Sequence, residues 1–190
     1  MYAFRALTMA GIAFAFACSS QSVKPALPPR APDAAYSGKL PLHEIRLPPG
    51  FKIDVYAEGV LGARSLCHGP DGILFVSTRD KGMVYALRDT SGDQRADLIY
   101  TLASGLNMPN GVAWRDGALY VAEVSRILRY DDIASRLANP PAPVVVYDRY
   151  PADTHHGWKY IAFGPDGLLY VPVGAPCNIC EPENPIYCTI

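Results

Sequence analysis

His155 and His156 stand side by side in "THHGWKYIAF", two of only four histidines in the chain. An imidazole titrates near neutrality and can take a proton from a substrate hydroxyl. The pair therefore reads as a candidate general base with its neighbour. Which of the two faces a pocket is open in the sequence, and the plainer reading is a polar corner of a sheet. His43 and His68 lack such a context and read as structural. Cys177 and Cys180 form a Cys-x-x-Cys pair with glutamate rather than histidine after it, which excludes covalent haem attachment. Cys67 and Cys188 stand alone, so no second pair offers a zinc site. In an exported chain the pair reads as a local disulfide bracing its loop, with a redox-active pair as the other reading. Cys67 reads as a small buried apolar residue. A third cluster, "DTSGDQRAD", places Asp89, Asp93 and Asp97 at the alternate spacing that opens a calcium loop. Gln94 stands where such a loop wants glycine, and the distal glutamate is missing, so a polar hairpin turn is the competing reading.

The elements that must position these residues follow a repeat. "GPDGILFVS", "WRDGALYVAE" and "GPDGLLYVPV" share Asp-Gly-x-Leu-aromatic-Val, with Gly72, Gly117 and Gly167 separated by 45 and 50 residues. Repeats of this length built from short strands are the signature of propeller blades. Asp-Gly is a hairpin turn signal, because such turns need positive φ. An apolar strand precedes each turn ("SLCH", "GVAW", "YIAF"). "MVYAL" and "ILRY" are expected as third strands, "DLIYTL" and "VVVYD" as fourth strands. "GFKIDVYAEG" (50–59) is expected as a further outer strand, and "DDIASRLA" as a single helical turn. The expected fold is all-β: a β-propeller of which about two and a half four-stranded blades are present. Aligning the blades on His68, Trp114 and Phe163 makes Arg64, Asn110 and Lys159 equivalent, each opening an innermost strand. Three polar residues there would converge on a central pocket and could bind a cofactor, or would merely solvate three strand ends.

The 190 residues suffice for one domain with a real core. A net charge of −1 gives no basic footprint for nucleic acid. The leader has Arg5 as its only charge before an apolar stretch from Ala6 to Ala17, too short to span a membrane. It reads as an export signal over residues 1–18. Small residues ahead of Cys18 in "AFAFACSSQ" suggest a lipoprotein site with Cys18 lipidated; ordinary cleavage after Ala15 or Ala17 is the alternative. Residues 19–41, rich in Pro, Ala and Ser, read as a tether, and 42–190 as the partial propeller domain. The expected location is the periplasm, free or anchored to the membrane by lipid.

"LPPGFKIDVYAEGV", "MPNGVAWRDGALYVAEVSRILRYDD" and "HHGWKYIAFGPDGLLYVPVGAPCNIC" resemble the glucose/sorbosone dehydrogenase family over about residues 42–187. The resemblance implies a six-bladed propeller carrying pyrroloquinoline quinone (PQQ) and calcium. It implies oxidation of a sugar or sugar-derived aldehyde, with electrons passed to a periplasmic or membrane acceptor. Counting back from "GPD", the family's general base falls on His156. Soluble glucose dehydrogenases have aspartate before the base and arginine four residues after it. This chain has His155 and Tyr160 there, with Lys159 beside the latter, which points to the sorbosone-type branch. Six blades need roughly 270 to 300 residues. The family's main calcium ligands and cationic quinone contacts come from later blades, so the chain is expected to be an N-terminal part that does not hold the cofactor alone. Two other functions compete: a calcium-dependent sugar lactonase with Asn110 as metal ligand, and a non-catalytic binding propeller.

Overall fold

The computed structural model of the chain describes residues 40–190. The expected leader, Cys18 and most of the tether lie outside the described residues. Two four-stranded antiparallel meanders and a two-stranded hairpin make up the fold. The first sheet is β1 (Ala63–His68), β2 (Ile73–Thr78), β3 (Val84–Arg88) and β4 (Leu98–Ala103). The second is β5 (Gly111–Arg115), β6 (Ala118–Ala122), β7 (Ile127–Tyr130) and β8 (Val144–Tyr147). The hairpin, β9 (Ala162–Phe163) and β10 (Leu169–Tyr170), opens a third sheet. Strands follow one another in chain order within each sheet, as blades require. "DDIASRLA" supplies one 3₁₀ turn, Ile133–Ser135. No helix among the described residues is long and apolar enough to cross a membrane.

The Asp-Gly turns set the register. Asp71 and Gly72 both have positive φ (52° and 73°), as do Asp116 and Gly117 (49° and 82°). Two consecutive left-handed residues match the right-handed twist of the strands they join. In the third turn only Gly167 is left-handed among the pair, and the Asp166 carboxylate accepts from the Leu168 amide instead (3.0 Å). The three motif leucines, Leu74, Leu119 and Leu169, pair with His68, Trp114 and Phe163. The alignment of the repeats therefore holds at the level of strand register.

Successive sheets pack face to face through their apolar rows. One core cluster joins Phe75, Val84 and Ala86 of the first sheet to Val112, Leu119, Val121 and Leu128 of the second. Another joins Ala113, Ala122 and Ile127 to Ile161, with Phe163 and Leu169 against them. A motif aromatic leads each contact. Phe75 stacks on Trp114 (5.4 Å between centroids), and Tyr120 meets Phe163 edge-on (4.9 Å). Each such pair adds about 0.5–1.5 kcal/mol to the apolar burial. The innermost strands adjoin in sequence, β1 against β5 and β5 against β9. The backbones of β5 and β9 come close enough that a Cβ on Gly111 would meet the Lys159 carbonyl at 2.6 Å. The Arg79 guanidinium, just past β2, lies 4.6 Å over the ring of Trp158, ahead of β9. The first sheet thus reaches the third, so the sheets are disposed around an axis rather than stacked in a row. The fold is all-β, with its sheets arranged as the blades of a β-propeller.

One expected strand is absent. Residues 50–59 carry no strand, although their sequence alternates apolar and polar. A strand needs a neighbour to satisfy its backbone, and no ladder forms here, although the Ala96 amide donates to the Tyr56 carbonyl (2.8 Å). Tyr56, Ala57 and Val60 instead pack against Val76, Tyr85, Leu87 and Ile99 on the outer face of the first sheet.

Candidate functional site

His155 and His156 sit at the head of the turn that leads into β9. The Gly157 amide donates to the Thr154 carbonyl (3.2 Å), and His156 itself is left-handed at φ 53°. Glycine is required next, because a Cβ on Gly157 would lie 1.8 Å from the Asp153 carbonyl. The two imidazoles face one another with centroids 4.0 Å apart. His156 is half-buried and His155 exposed. His156 Nδ1 lies 3.2 Å from the Ala175 carbonyl oxygen. A carbonyl only accepts, so Nδ1 carries the proton and Nε2 of the neutral ring keeps the lone pair. His155 Nε2 lies 3.3 Å from Asn178 Oδ1. Asn178 stands between Cys177 and Cys180, which are joined in a disulfide. The brace expected from sequence forms, and it carries a partner of the histidine pair that sequence reading did not single out.

The three equivalent polar residues diverge. Arg64 is exposed on β1, whereas Asn110 and Lys159 are buried. The hydrogen bond from Arg79 holds the Asp80 carboxyl below the usual carboxylate range, and Arg64 adds a smaller attraction from nearby. Lys159 Nζ donates to the carbonyls of Val124 (2.5 Å) and Gly157 (3.0 Å) and lies 5.1 Å from the Tyr150 ring centre. Burial pulls its pKa below the ordinary lysine value. Asn110 Nδ2 donates to the Lys159 carbonyl (3.0 Å), and the Ser77 hydroxyl donates to the Asn110 carbonyl. A polar seam therefore ties β2 to the residues that lead into β5 and β9. Asn110 Oδ1 is buried with no hydrogen-bond partner. The expected convergence becomes a link between Asn110 and Lys159, with Arg64 apart from it at the rim.

Asp89, Asp93 and Asp97 form the turn, not a calcium loop, which corrects the metal reading. Asp89 accepts from the amides of Ser91 (3.1 Å), Gly92 (2.7 Å) and Gln94 (2.8 Å). Asp97 accepts from the Thr90 amide and hydroxyl (2.6 Å each) and the Ser91 amide (3.0 Å), and Asp93 from the Arg95 amide (2.9 Å). The Thr90 hydrogen bonds hold the Asp97 carboxyl below its ordinary range. Gln94, at the place where a calcium loop wants glycine, is left-handed at φ 67°. Among the described residues no group of three or more His, Cys, Asp or Glu could hold a metal ion.

Glu123 was not anticipated. It is buried, accepts from the Asn107 amide (2.5 Å) and pairs with Arg126. These partners fix the loops at the end of β6 against the residues leading into β5, beside the Val124 carbonyl that Lys159 uses. Cys67 packs beside the first core cluster, and burial pushes its thiol up to about 12. Expected as a small buried apolar residue, it is half-buried.

No family model matches the chain, and no curated protein matches it. Among solved structures, it is similar to the PQQ-bound form of an aldose sugar dehydrogenase from Streptomyces coelicolor, at 25% identity and a TM-score of 0.47. The match covers 64% of this chain and 40% of the length of that one.

Proposed function

We propose that this chain carries the base-bearing part of an oxidoreductase of sugars or sugar-derived aldehydes that uses PQQ as electron acceptor. One observation carries the reading: the Ala175 carbonyl fixes the His156 tautomer so that Nε2 is the proton acceptor. The motif resemblance around "HHGWKYIAFGPDG" supports the choice of chemistry. On this reading His156 Nε2 takes the hydroxyl proton of the substrate carbinol. The Nδ1–H bond to Ala175 then stabilises the imidazolium by its carbonyl dipole. The His155 ring lies 4.0 Å from that of His156. Asn178 holds its ring in place.

PQQ, when bound, supplies the hydride sink. The described residues do not assemble a cradle for it. Lys159 already donates to two carbonyls, Asn110 is buried within the seam, and Arg64 alone presents an exposed cation. They supply no calcium site either. We take the protein to be exported, free in the periplasm or tethered through Cys18, and to pass electrons to a periplasmic or membrane acceptor.

The test is dye reduction by this chain joined to the further blades that would complete a propeller, supplied with quinone and calcium, using aldoses and sorbosone. Reduction that disappears in His156→Ala and survives in His155→Ala is expected. No reduction, or reduction indifferent to His156→Ala, removes the proposal, and lactone hydrolysis in its place would favour the hydrolase alternative. Imidazole ¹⁵N shifts of the free chain read the tautomer directly, without any cofactor.

A further inference from the structure

Residues 173–189 form the element that grips the histidine turn, and a disulfide lies inside it. The segment is closed at its base, where Val173 bridges to Thr189 and the Cys188 amide donates to the Val173 carbonyl (2.7 Å). Between those ends it meets residues 153–157 at four places. The His156 carbonyl lies against Gly174, where a Cβ would come within 2.5 Å of it. The Ala175 carbonyl accepts from His156 Nδ1, and Asn178 Oδ1 accepts from His155 Nε2. The Tyr187 hydroxyl donates to the Asp153 carboxylate. Gly174, Ala175 and Tyr187 all lie within two residues of the closed base. Asn178 does not. Among the described residues the main chain of 177–180 makes no hydrogen bond to other main chain. The Cys177–Cys180 disulfide that brackets Asn178 therefore sets its position.

We infer that Asn178 is a positioning residue for the histidine pair, and that the disulfide makes its grip redox-sensitive. An amide oxygen only accepts, so His155 Nε2 carries the proton and Nδ1 keeps the lone pair. His156 is the opposite tautomer, with the proton on Nδ1. The two rings are thus held 4.0 Å apart by two separate acceptors, one inside the disulfide bracket and one outside it. Reduction by a dithiol breaks the S–S bond. Two electrons and two protons pass to the cysteines, which become thiols, and the dithiol leaves as its own disulfide. Asn178 is then released and His155 loses its acceptor. The bond from His156 to Ala175 persists, because Ala175 stands outside the bracket. Reduction therefore frees the neighbour and spares the base. The consequence for turnover rests on the reading of His156 as general base: the reduced protein keeps its base but loses the ring that packs against it. The coupling between disulfide and His155 does not depend on that reading.

The experiment reads the tautomer of each histidine from imidazole ¹⁵N spectra in alkaline buffer, before and after reduction with dithiothreitol. A Cys188→Ser background removes the exposed free thiol of the same segment. The oxidised chain is expected to show His155 protonated on Nε2 and His156 on Nδ1. Reduction should move His155 to the mixed tautomers of a free imidazole, leave His156 in place, and reverse on reoxidation. Asn178→Ala should give the freed His155 spectrum in both redox states. Asn178→Asp, which keeps an acceptor oxygen, should restore the redox response. Circular dichroism checks that each form is folded, and Cys177→Ser with Cys180→Ser reproduces the open bracket without reductant. A His155 spectrum that neither reduction nor the double serine variant moves would overturn the inference. So would a redox response that persists in Asn178→Ala, or an oxidised Asn178→Ala chain with an unchanged His155. None of these readouts needs quinone or sugar. Dye reduction that fails while the His155 response stands removes the proposed activity alone, and the reverse result removes the switch alone.

Discussion

Replacing Lys159 by methionine keeps most of the stem and removes the ammonium. The carbonyls of Val124 and Gly157 then lose this donor inside the protein. Hydrogen bonds from charged donors contribute about 1.5–3 kcal/mol each, which gives roughly 3–6 kcal/mol for the two. Against this stands the desolvation that lowers the Lys159 pKa, a cost that methionine escapes. The net loss expected is about 2–4 kcal/mol, read from urea unfolding at neutral pH with an unchanged m value. The sign of the pH dependence is also fixed. A lowered lysine pKa means that the unfolded chain binds more protons between the lowered and the ordinary value. Stability therefore rises with pH through that window, and this part of the slope is absent from Lys159→Met. Because the ammonium also pins the Gly157 carbonyl, the His156 ring should lose its single tautomer in the ¹⁵N spectrum. A stability change below about 0.5 kcal/mol, the range of surface substitutions, would refute the clamp. So would an unchanged His156 spectrum in a folded variant.

Three further outcomes follow from other parts of the structure. Arg126→Met strands the buried Glu123 carboxylate and should cost about 3 kcal/mol in urea unfolding, most of it recovered by adding Glu123→Gln. Reducing the Cys177–Cys180 disulfide, whose cysteines are 3 residues apart, should cost only about 2 kcal/mol of thermal or urea stability. It should shift the NMR signals of His155, through Asn178, more than those of His156, which bonds to Ala175 outside the loop. Burial raises Cys67 to about 12 and Tyr130 to about 12, so their contribution is complete below their unfolded values and is lost as pH climbs toward 12. Cys67→Ala should flatten that alkaline fall in a melting series.

Strand order, turn positions and cross-strand register were legible in the sequence, because the Asp-Gly repeat fixes all three locally. Residues 50–59 show the limit of that signal. Their alternation is a strand pattern, but a strand is a property of two segments, and residues 50–59 are met by single bonds such as Ala96 to Tyr56 and Arg95 to Asp54 rather than by a ladder. The destinations of Lys159 and Asn110 were hidden for a related reason. Their partners are mostly main-chain carbonyls, and a carbonyl has no letter in the sequence. Asn178 and Ala175 were hidden because loop closure, not spacing, brings them to the histidines. Arg64, aligned with Asn110 and Lys159 in the repeat, falls at a register shift in β1. Burial differs too: Arg64 is exposed, whereas Asn110 and Lys159 are buried.

The Arg79–Trp158 contact makes the chain its own optical gauge. It has two tryptophans, and they report on different joints. Trp114 is stacked on Phe75 between the first two sheets, whereas Trp158 lies under a guanidinium and 6.2 Å from the His156 ring. Emission from Trp158 should therefore dim when His156 takes up a proton and redden when the first and third sheets part. Trp114 should respond only when the core between the first two sheets opens. Trp158→Phe and Trp114→Phe would separate the two signals, so that protonation of His156 can be followed by eye of the fluorimeter while the fold stays intact.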